Sequence, residues 1–279
     1  MLHAYLILAH KNPPQLMQMI SALQAENCLF FVHIDKKSDV HKFVDLPTNV
    51  LICENRVSVR WGGFSMIEAT VCLIEMLINS GNKPDYVHLL SGQDFPLCNP
   101  RSIDSFFEDN NGKNFIQYHT IPYKFWSDNG GFDRINYKWD IDGGKTNKAQ
   151  LTGRSFPSGV KPYGGSQWWS LTLKCVEWLA TICRSGELLY DFYRHTNIPD
   201  EMFFQTAIMN SKFAQTVVND NLRHINWTDG PEYPRVLTSE DWEKLMHSAK
   251  LFARKFDVEK DADILNKIEF YKQPSSIIL

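Results

Sequence analysis

The sequence predicts an α/β protein built on an open, mostly parallel sheet flanked by helices, with elaborate loops along one edge. Three observations predict it. Through the first 120 residues, short apolar runs alternate with segments whose apolar residues recur at helical spacing, the pattern of βαβ winding. Several of those runs are apolar throughout, as strands covered on both faces are. The winding then gives way over residues 120–165 to an aromatic- and glycine-rich stretch without clear periodicity, after which strand and helix patterns resume.

Taken in order, AYLILAH (4–10) reads as a buried first strand. Asn12 is placed to cap a helix that Pro13 opens, with Leu16, Met19, Ile20 and Leu23 on one face. CLFFVHID (28–35) and VLICE (50–54) read as the second and third strands. Ser65 and Glu68 have the spacing of a capping box, and the helix they open carries Ile67, Leu73, Ile74 and Leu77 inward and ends at Gly81. DYVHLLSG (85–92) is the fourth strand. Beyond the irregular stretch, GSQWWSLT (165–172) reads as a strand, LKCVEWLATICRSG (173–186) as a helix, and PDEMFFQTAIMNS (199–211) as a helix with Pro199 in its first turn. LRHINW (222–227), EDWEKLMHSAK (240–250), LFARKFD (251–257) and ADILNKIEFY (262–271) complete an α/β tail.

Composition bounds the function. At 43% hydrophobic and 13% aromatic the chain of 279 residues buries a large core. Its net charge of -3, with dispersed lysines and arginines, argues against nucleic acid as a partner but leaves room for a small anionic ligand. No apolar run reaches the length of a membrane span, and the first residues lack the basic region of a signal peptide. Cys28, Cys53, Cys72, Cys98, Cys175 and Cys183 form no C-x-x-C pair and read as reduced packing residues of a cytosolic protein.

In open α/β sheets ligands bind beyond the carboxyl ends of the strands. Those ends here are Ala9-His10-Lys11, His33-Ile34-Asp35-Lys36-Lys37 and Ser91-Gly92-Gln93-Asp94, all polar. G-x-G-x-x-G, P-loop, G-x-S-x-G and H-E-x-x-H motifs are all missing, which argues against dinucleotide oxidoreductases, P-loop NTPases, α/β-hydrolases and zincins. Asp140-Ile141-Asp142 is a D-x-D, and paired carboxylates suit a hard divalent cation held against a diphosphate. It lies in the irregular stretch instead of at a strand end.

The segments YLILAHKNP, FFVHIDKKS, VRWGGFSMIEA, YVHLLSGQDFPL, GSQWWSLT, IPDEMFFQT and LFARKFD resemble, in order and spacing, the core-2/I-branching β-1,6-N-acetylglucosaminyltransferase family, together with the peptide xylosyltransferases. The resemblance runs from residue 3 to about residue 270. It implies a GT-A-like fold and one glycosyltransferase domain over 1–279, with a nucleotide-binding half (about 1–119) and an acceptor and catalytic half (about 120–279). It implies inversion at the anomeric carbon, a UDP-sugar donor, a glycan or other hydroxyl acceptor, and no metal cofactor. Glu201 falls on the family's catalytic base, where a first-turn carboxylate meets the positive end of a helix dipole. Lys255 and Arg235 fall on the diphosphate cations, with Arg254 the neighbouring alternative that strand alternation would aim to the other face. Ala9, His10 and Asp35 fall in the donor pocket; Trp227, Asp94, Arg134 and Tyr137 are acceptor-side candidates. The absence of an anchor helix, a stem and the animal cysteine pattern makes the expected protein a bacterial-type cytoplasmic member, with membrane association through a lipid-linked acceptor left open. GSQWWSLT looks closer to the xylosyltransferase branch, so xylose and N-acetylglucosamine both stand as donor sugars. Two alternatives remain at this point: a non-catalytic carbohydrate- or nucleotide-binding module, and a metal-dependent transferase using Asp140 and Asp142.

Overall fold

The computed structural model describes residues 1–43, 46–144, 152–228 and 233–272. Within them the strands in chain order are β1 (His3–Ala9), β2 (Cys28–Ile34), β3 (Val50–Ile52), β4 (Tyr86–Ser91), β5 (Asp94–Pro96), β6 (Asn114–Thr120), β7 (Tyr163–Thr172), β8 (Val217–Val218), β9 (Arg223–Ile225) and β10 (Phe252–Arg254). Seven make one sheet in the order β3-β2-β1-β4-β7-β6-β8. Only β7 runs against its neighbours, pairing antiparallel with both β4 and β6, so the expected open, mostly parallel sheet is what forms.

The winding fixes where a ligand can sit. From β1 the chain moves outward to β2 and β3, then returns to lay β4 on the other side of β1. That reversal opens a crevice past the carboxyl ends of β1 and β4. A small second sheet, β5-β10-β9, stands beside it, with Arg254 in register opposite Asp94.

β1 is buried along its whole length because its two faces feed two cores. Ala4, Leu6 and Leu8 join Phe31, Ile67, Leu89, Trp169, Phe203 and Phe204 on one side. Tyr5, Ile7 and Ala9 join Leu16, Ile20, Phe30, Phe95, Phe252 and Ile264 on the other. Period-two alternation divides a continuous apolar run between two layers of helices.

Polar residues thread the sheet as well. His3 Nδ1 lies 3.0 Å from His88 Nε2, His88 Nδ1 lies 2.9 Å from Ser170 Oγ, and Arg223 donates to that hydroxyl at 3.1 Å. Arg223 also donates to the carbonyls of Leu89 and Trp169, so its buried guanidinium is held by backbone oxygens.

Three local expectations differ. Asn12 does stand before the helix Pro13–Leu23, but its amide donates to Asp257 at 2.9 Å instead of capping. Ser65 and Glu68 make no capping box. The Ser65 hydroxyl and N–H both bond the Asp142 carboxylate, at 2.6 and 3.2 Å, while Glu68 pairs with Arg194. The segment from Pro199 is a 3-10 turn, Pro199–Glu201, broken at Met202 before the helix Phe203–Met209. Glu201 therefore sits in a tight turn, and a long helix's dipole does not act on it.

Candidate active site

The carboxyl edge of the sheet carries a group of positive charges. The segment after β10 is drawn across it: Phe256 N–H donates to Gln93 O at 2.8 Å, and Gln15 bonds both Gly92 O and Phe256 O. Lys11 and Asn12 then grip Asp257 at 2.6 and 2.9 Å. These contacts carry Lys255 to the end of β1. Burial, followed by the charges of Arg254 and Lys11, pushes the Lys255 amine below its usual value, with Asp257 opposing. Burial, then Lys11, Lys37 and Lys255, likewise lowers the His10 imidazole, against Asp35. Such mutual depression marks cations gathered closely enough to favour an anion among them.

Asp35 closes the neighbouring strand end. Its N–H donates to Ala9 O at 2.8 Å, and its buried carboxylate accepts from Lys37 N–H at 2.8 Å with Lys37 Nζ 3.7 Å away. Ala9, His10 and Asp35 thus stand together at one corner. Arg235 is brought near by backbone only: its N–H donates to Asn226 O, and Leu237 N–H donates to Lys255 O. Its guanidinium turns away to Glu240 at 3.0 Å and Asp241 at 3.9 Å.

Asp94 needs correcting as an acceptor-side residue. It is wholly buried, takes Ser91 N–H and Oγ, and receives Arg254 Nε at 2.9 Å. A carboxylate so enclosed offers nothing to a substrate; it aims Arg254, whose guanidinium lies 4.1 Å from the Trp168 ring centre. Arg254 and Lys255 do diverge as expected, one toward Trp168 and the other with its amine 5.8 Å from the Tyr233 ring.

A second group forms around the Pro199–Glu201 turn. Arg134 donates to Glu201 Oε2 at 2.8 Å while its guanidinium lies over Trp126, 3.6 Å from the ring centre. Gly131 makes this approach possible: at φ +95°, a Cβ would strike the Trp126 ring. Asp200 beside it is buried, and its Oδ1 has no hydrogen-bond partner among the described residues. Burial and then the Glu201 charge push the Asp200 carboxyl up to about 7, against Arg134. Two adjacent carboxylates thus have opposite surroundings, one buried and one held by an arginine near the surface. This is how a fold separates the roles of two acids.

Two loops link these groups. Ile198 N–H donates to Gly62 O at 2.9 Å, tying the Trp61-Gly62-Gly63 loop to the Glu201 turn. Arg60 donates to the Ile141 and Asp142 carbonyls, and Asp142 packs so tightly that a Cβ on Gly63 would come within 2.8 Å of its Cγ. The D-x-D motif is therefore built into the scaffold: Asp142 fixes the Trp61 loop and the first turn of the helix Ser65–Asn79, and Asp140 accepts Gly143 N–H. Among the described residues, no group of three His, Cys, Asp or Glu could hold a metal ion. Trp227, 46% exposed, lies two residues past β9, on the edge that carries Lys255. Tyr137 pairs with Gly153 in an isolated bridge just after the helix Phe132–Asn136 that carries Arg134. Part of the irregular stretch, residues 145–151, lies outside the described residues.

Sequence reasoning assigned no role to Trp61 and Tyr233. They meet at 5.5 Å between ring centres, and both remain more than half exposed. The available signal was an aromatic directly before Gly-Gly in VRWGGFS, but its partner lies far along the chain.

The family model described as Core-2/I-Branching enzyme matches residues 3–250. Xylosyltransferase oxt of Drosophila pseudoobscura pseudoobscura is 27% identical over 280 residues, covering 91% of this chain and 31% of that protein. Xylosyltransferase 2 of Homo sapiens is 28% identical over 292 residues, covering 96% of this chain and 33% of that protein. The chain thus spans about a third of the length of these curated relatives. The solved structure of mouse xyloside xylosyltransferase 1, apo form, aligns over 90% of this chain and 96% of that one with 12% identity and a TM-score of 0.39, too distant to add to the family match. No helix among the described residues is long and apolar enough to cross a membrane.

Proposed function

The chain belongs to the Core-2/I-branching enzyme family, and from that premise we propose that it is an inverting, metal-independent glycosyltransferase using a UDP-sugar, with xylose or N-acetylglucosamine as the transferred unit. The observation that carries the reading is the presence of the two groups such a transfer needs: Glu201 held by Arg134, and Lys255 gathered with Lys11 and His10 at the strand ends.

The chemistry is a single in-line displacement. The acceptor hydroxyl oxygen attacks the anomeric carbon and its proton passes to a Glu201 oxygen. The bond from the anomeric carbon to the diphosphate oxygen breaks, and UDP leaves from the opposite face. Negative charge growing on the diphosphate meets Lys255 and its neighbouring cations, fixed in place before the reaction begins. Arg134 orients Glu201 while its own position is set by Trp126. On this reading residues 1–119 supply most of the nucleotide site, and residues 120–279 supply the base and the acceptor side.

A thermal-shift screen of UDP, UDP-xylose and UDP-N-acetylglucosamine in excess EDTA tests it. A ligand at 100 times its Kd raises stability by about 2.7 kcal/mol. UDP and one UDP-sugar are expected to raise Tm without added metal. A stabilisation that appears only with Mn²⁺ refutes metal independence, and none with any nucleotide refutes the donor class.

A further inference from the structure

We propose that Trp61 and Tyr233 form the platform on which the transferred sugar ring of the donor lies. The proposal rests on the glycosyltransferase reading and adds the surface that recognises the donor's sugar.

Position is the first argument. The transferred sugar is the unit joined to the diphosphate, so it must lie between the cation that receives the diphosphate and the carboxylate that activates the acceptor. The aromatic pair is linked toward both ends, by backbone at one and by a side-chain contact at the other. Trp61 directly precedes Gly62, whose carbonyl accepts Ile198 N–H at 2.9 Å, three residues ahead of Glu201. Tyr233 lies at the other end, its ring centre 5.8 Å from Lys255 Nζ. The two rings meet at 5.5 Å with their planes inclined by 42°, which leaves faces of both open to a ligand.

Chemistry is the second. Trp61 is 56% and Tyr233 53% exposed. The Trp61 loop is fixed by Arg60 and by Asp142 against Gly63, and Leu237, just beyond Tyr233, bonds the Lys255 carbonyl. An exposed aromatic surface beside a cation suits a ligand with an apolar C–H face joined to a negative charge. A pyranose on a diphosphate has both. A nucleobase would satisfy the rings, but a free diphosphate would satisfy only the lysine.

Calorimetric titration of the parent, Trp61→Ala, Trp61→Phe and Tyr233→Ala with UDP, UDP-xylose and UDP-N-acetylglucosamine tests the assignment. For the UDP-sugar the parent prefers, Trp61→Ala is expected to lose about tenfold in affinity, equivalent to about 1.4 kcal/mol. UDP itself should move by less than about twofold, and Trp61→Phe, which keeps a flat apolar face, should stay near the parent. Retained UDP binding also shows that a variant is folded, and Tyr233→Ala gives the same readout if Trp61→Ala does not fold. Equal losses for UDP and UDP-sugar, or no loss for either, overturn the platform. A parent that binds neither UDP nor a UDP-sugar overturns the donor reading and this proposal with it.

Discussion

Replacing Glu201 by Gln removes the proton acceptor while keeping the size of the side chain and an oxygen for Arg134. The structure gives the two consequences separately. The ion pair with Arg134 is 2.8 Å long with 28% of the Glu201 side chain exposed, so losing its charge costs about 1 kcal/mol or less. Arg134 keeps its seat on Trp126, 3.6 Å from the ring centre. For a chain of 279 residues a change of 1 kcal/mol moves Tm by roughly 2–4 °C. Catalysis should fall far more, by about 10²–10⁴-fold in kcat, the contribution of a positioned general base. A third readout is internal. Because the Glu201 charge helps push the Asp200 carboxyl up to about 7, Glu201→Gln should bring Asp200 downward, visible in a carboxyl ¹³C titration. Turnover would be followed as UDP release, by transfer to an acceptor or by slow hydrolysis of the UDP-sugar. A variant working at the parent rate refutes the base assignment. One that loses activity only in proportion to a large fall in Tm shows Glu201 to be structural.

Lys255→Ala should weaken UDP by about 1.5–3 kcal/mol, the worth of a charge-assisted hydrogen bond, and leave uridine nearly unchanged; equal losses would remove Lys255 from the diphosphate site. Asp142→Ala should cost about 1–3 kcal/mol of stability, seen as a lower Tm with or without Mn²⁺, because it strips two bonds from Ser65; a Tm effect confined to Mn²⁺-containing buffer would favour the metal role. Stability should decline as pH falls below about 6.5, since buried His3 and His88 sit below that value in the folded chain and only the unfolded chain takes up their protons; each contributes up to about 1.4 kcal/mol per pH unit, and a flat acid limb in urea titrations would refute it. Asp200 acts in the opposite sense, because its raised folded value makes its contribution fade as pH climbs toward about 7, so Asp200→Asn should gain stability relative to the parent between pH 4 and 8.

The elements legible in the sequence are those whose causes are local. β1, β2 and β4 announce themselves as apolar runs ending in polar residues, and the chain order that joins them places those ends on one edge. Ala9, His10 and Asp35 could therefore be placed together from the residues, and Lys255 and Glu201 came with the family resemblance. What failed to show depends on partners distant in sequence. Ser65 looks like a helix cap because its neighbours have the right spacing, yet Asp142 competes for the same donors and wins with a carboxylate against a hydroxyl's weaker local alternatives. Asp94 looks like a ligand-facing strand-end acid, yet Arg254, opposite it in the small sheet, takes its charge.

The same reasoning applies to Asp140-Ile141-Asp142, whose Asp142 has partners distant in sequence. A metal site needs carboxylate oxygens left open toward the cation. Here the Asp142 oxygens are committed to Ser65, and the carbonyls of Ile141 and Asp142 are committed to Arg60. The gain from that commitment appears elsewhere, since these bonds hold the loop that exposes Trp61, and Gly62 of that loop is bonded to the turn that carries Glu201. A residue that looks like a ligand in the sequence thus acts on the site through the backbone it holds. Asp142→Asn, which keeps the shape and one acceptor, should accordingly disturb UDP-sugar affinity less than Gly63→Ala, whose added Cβ must displace either the Asp142 carboxylate or the loop itself.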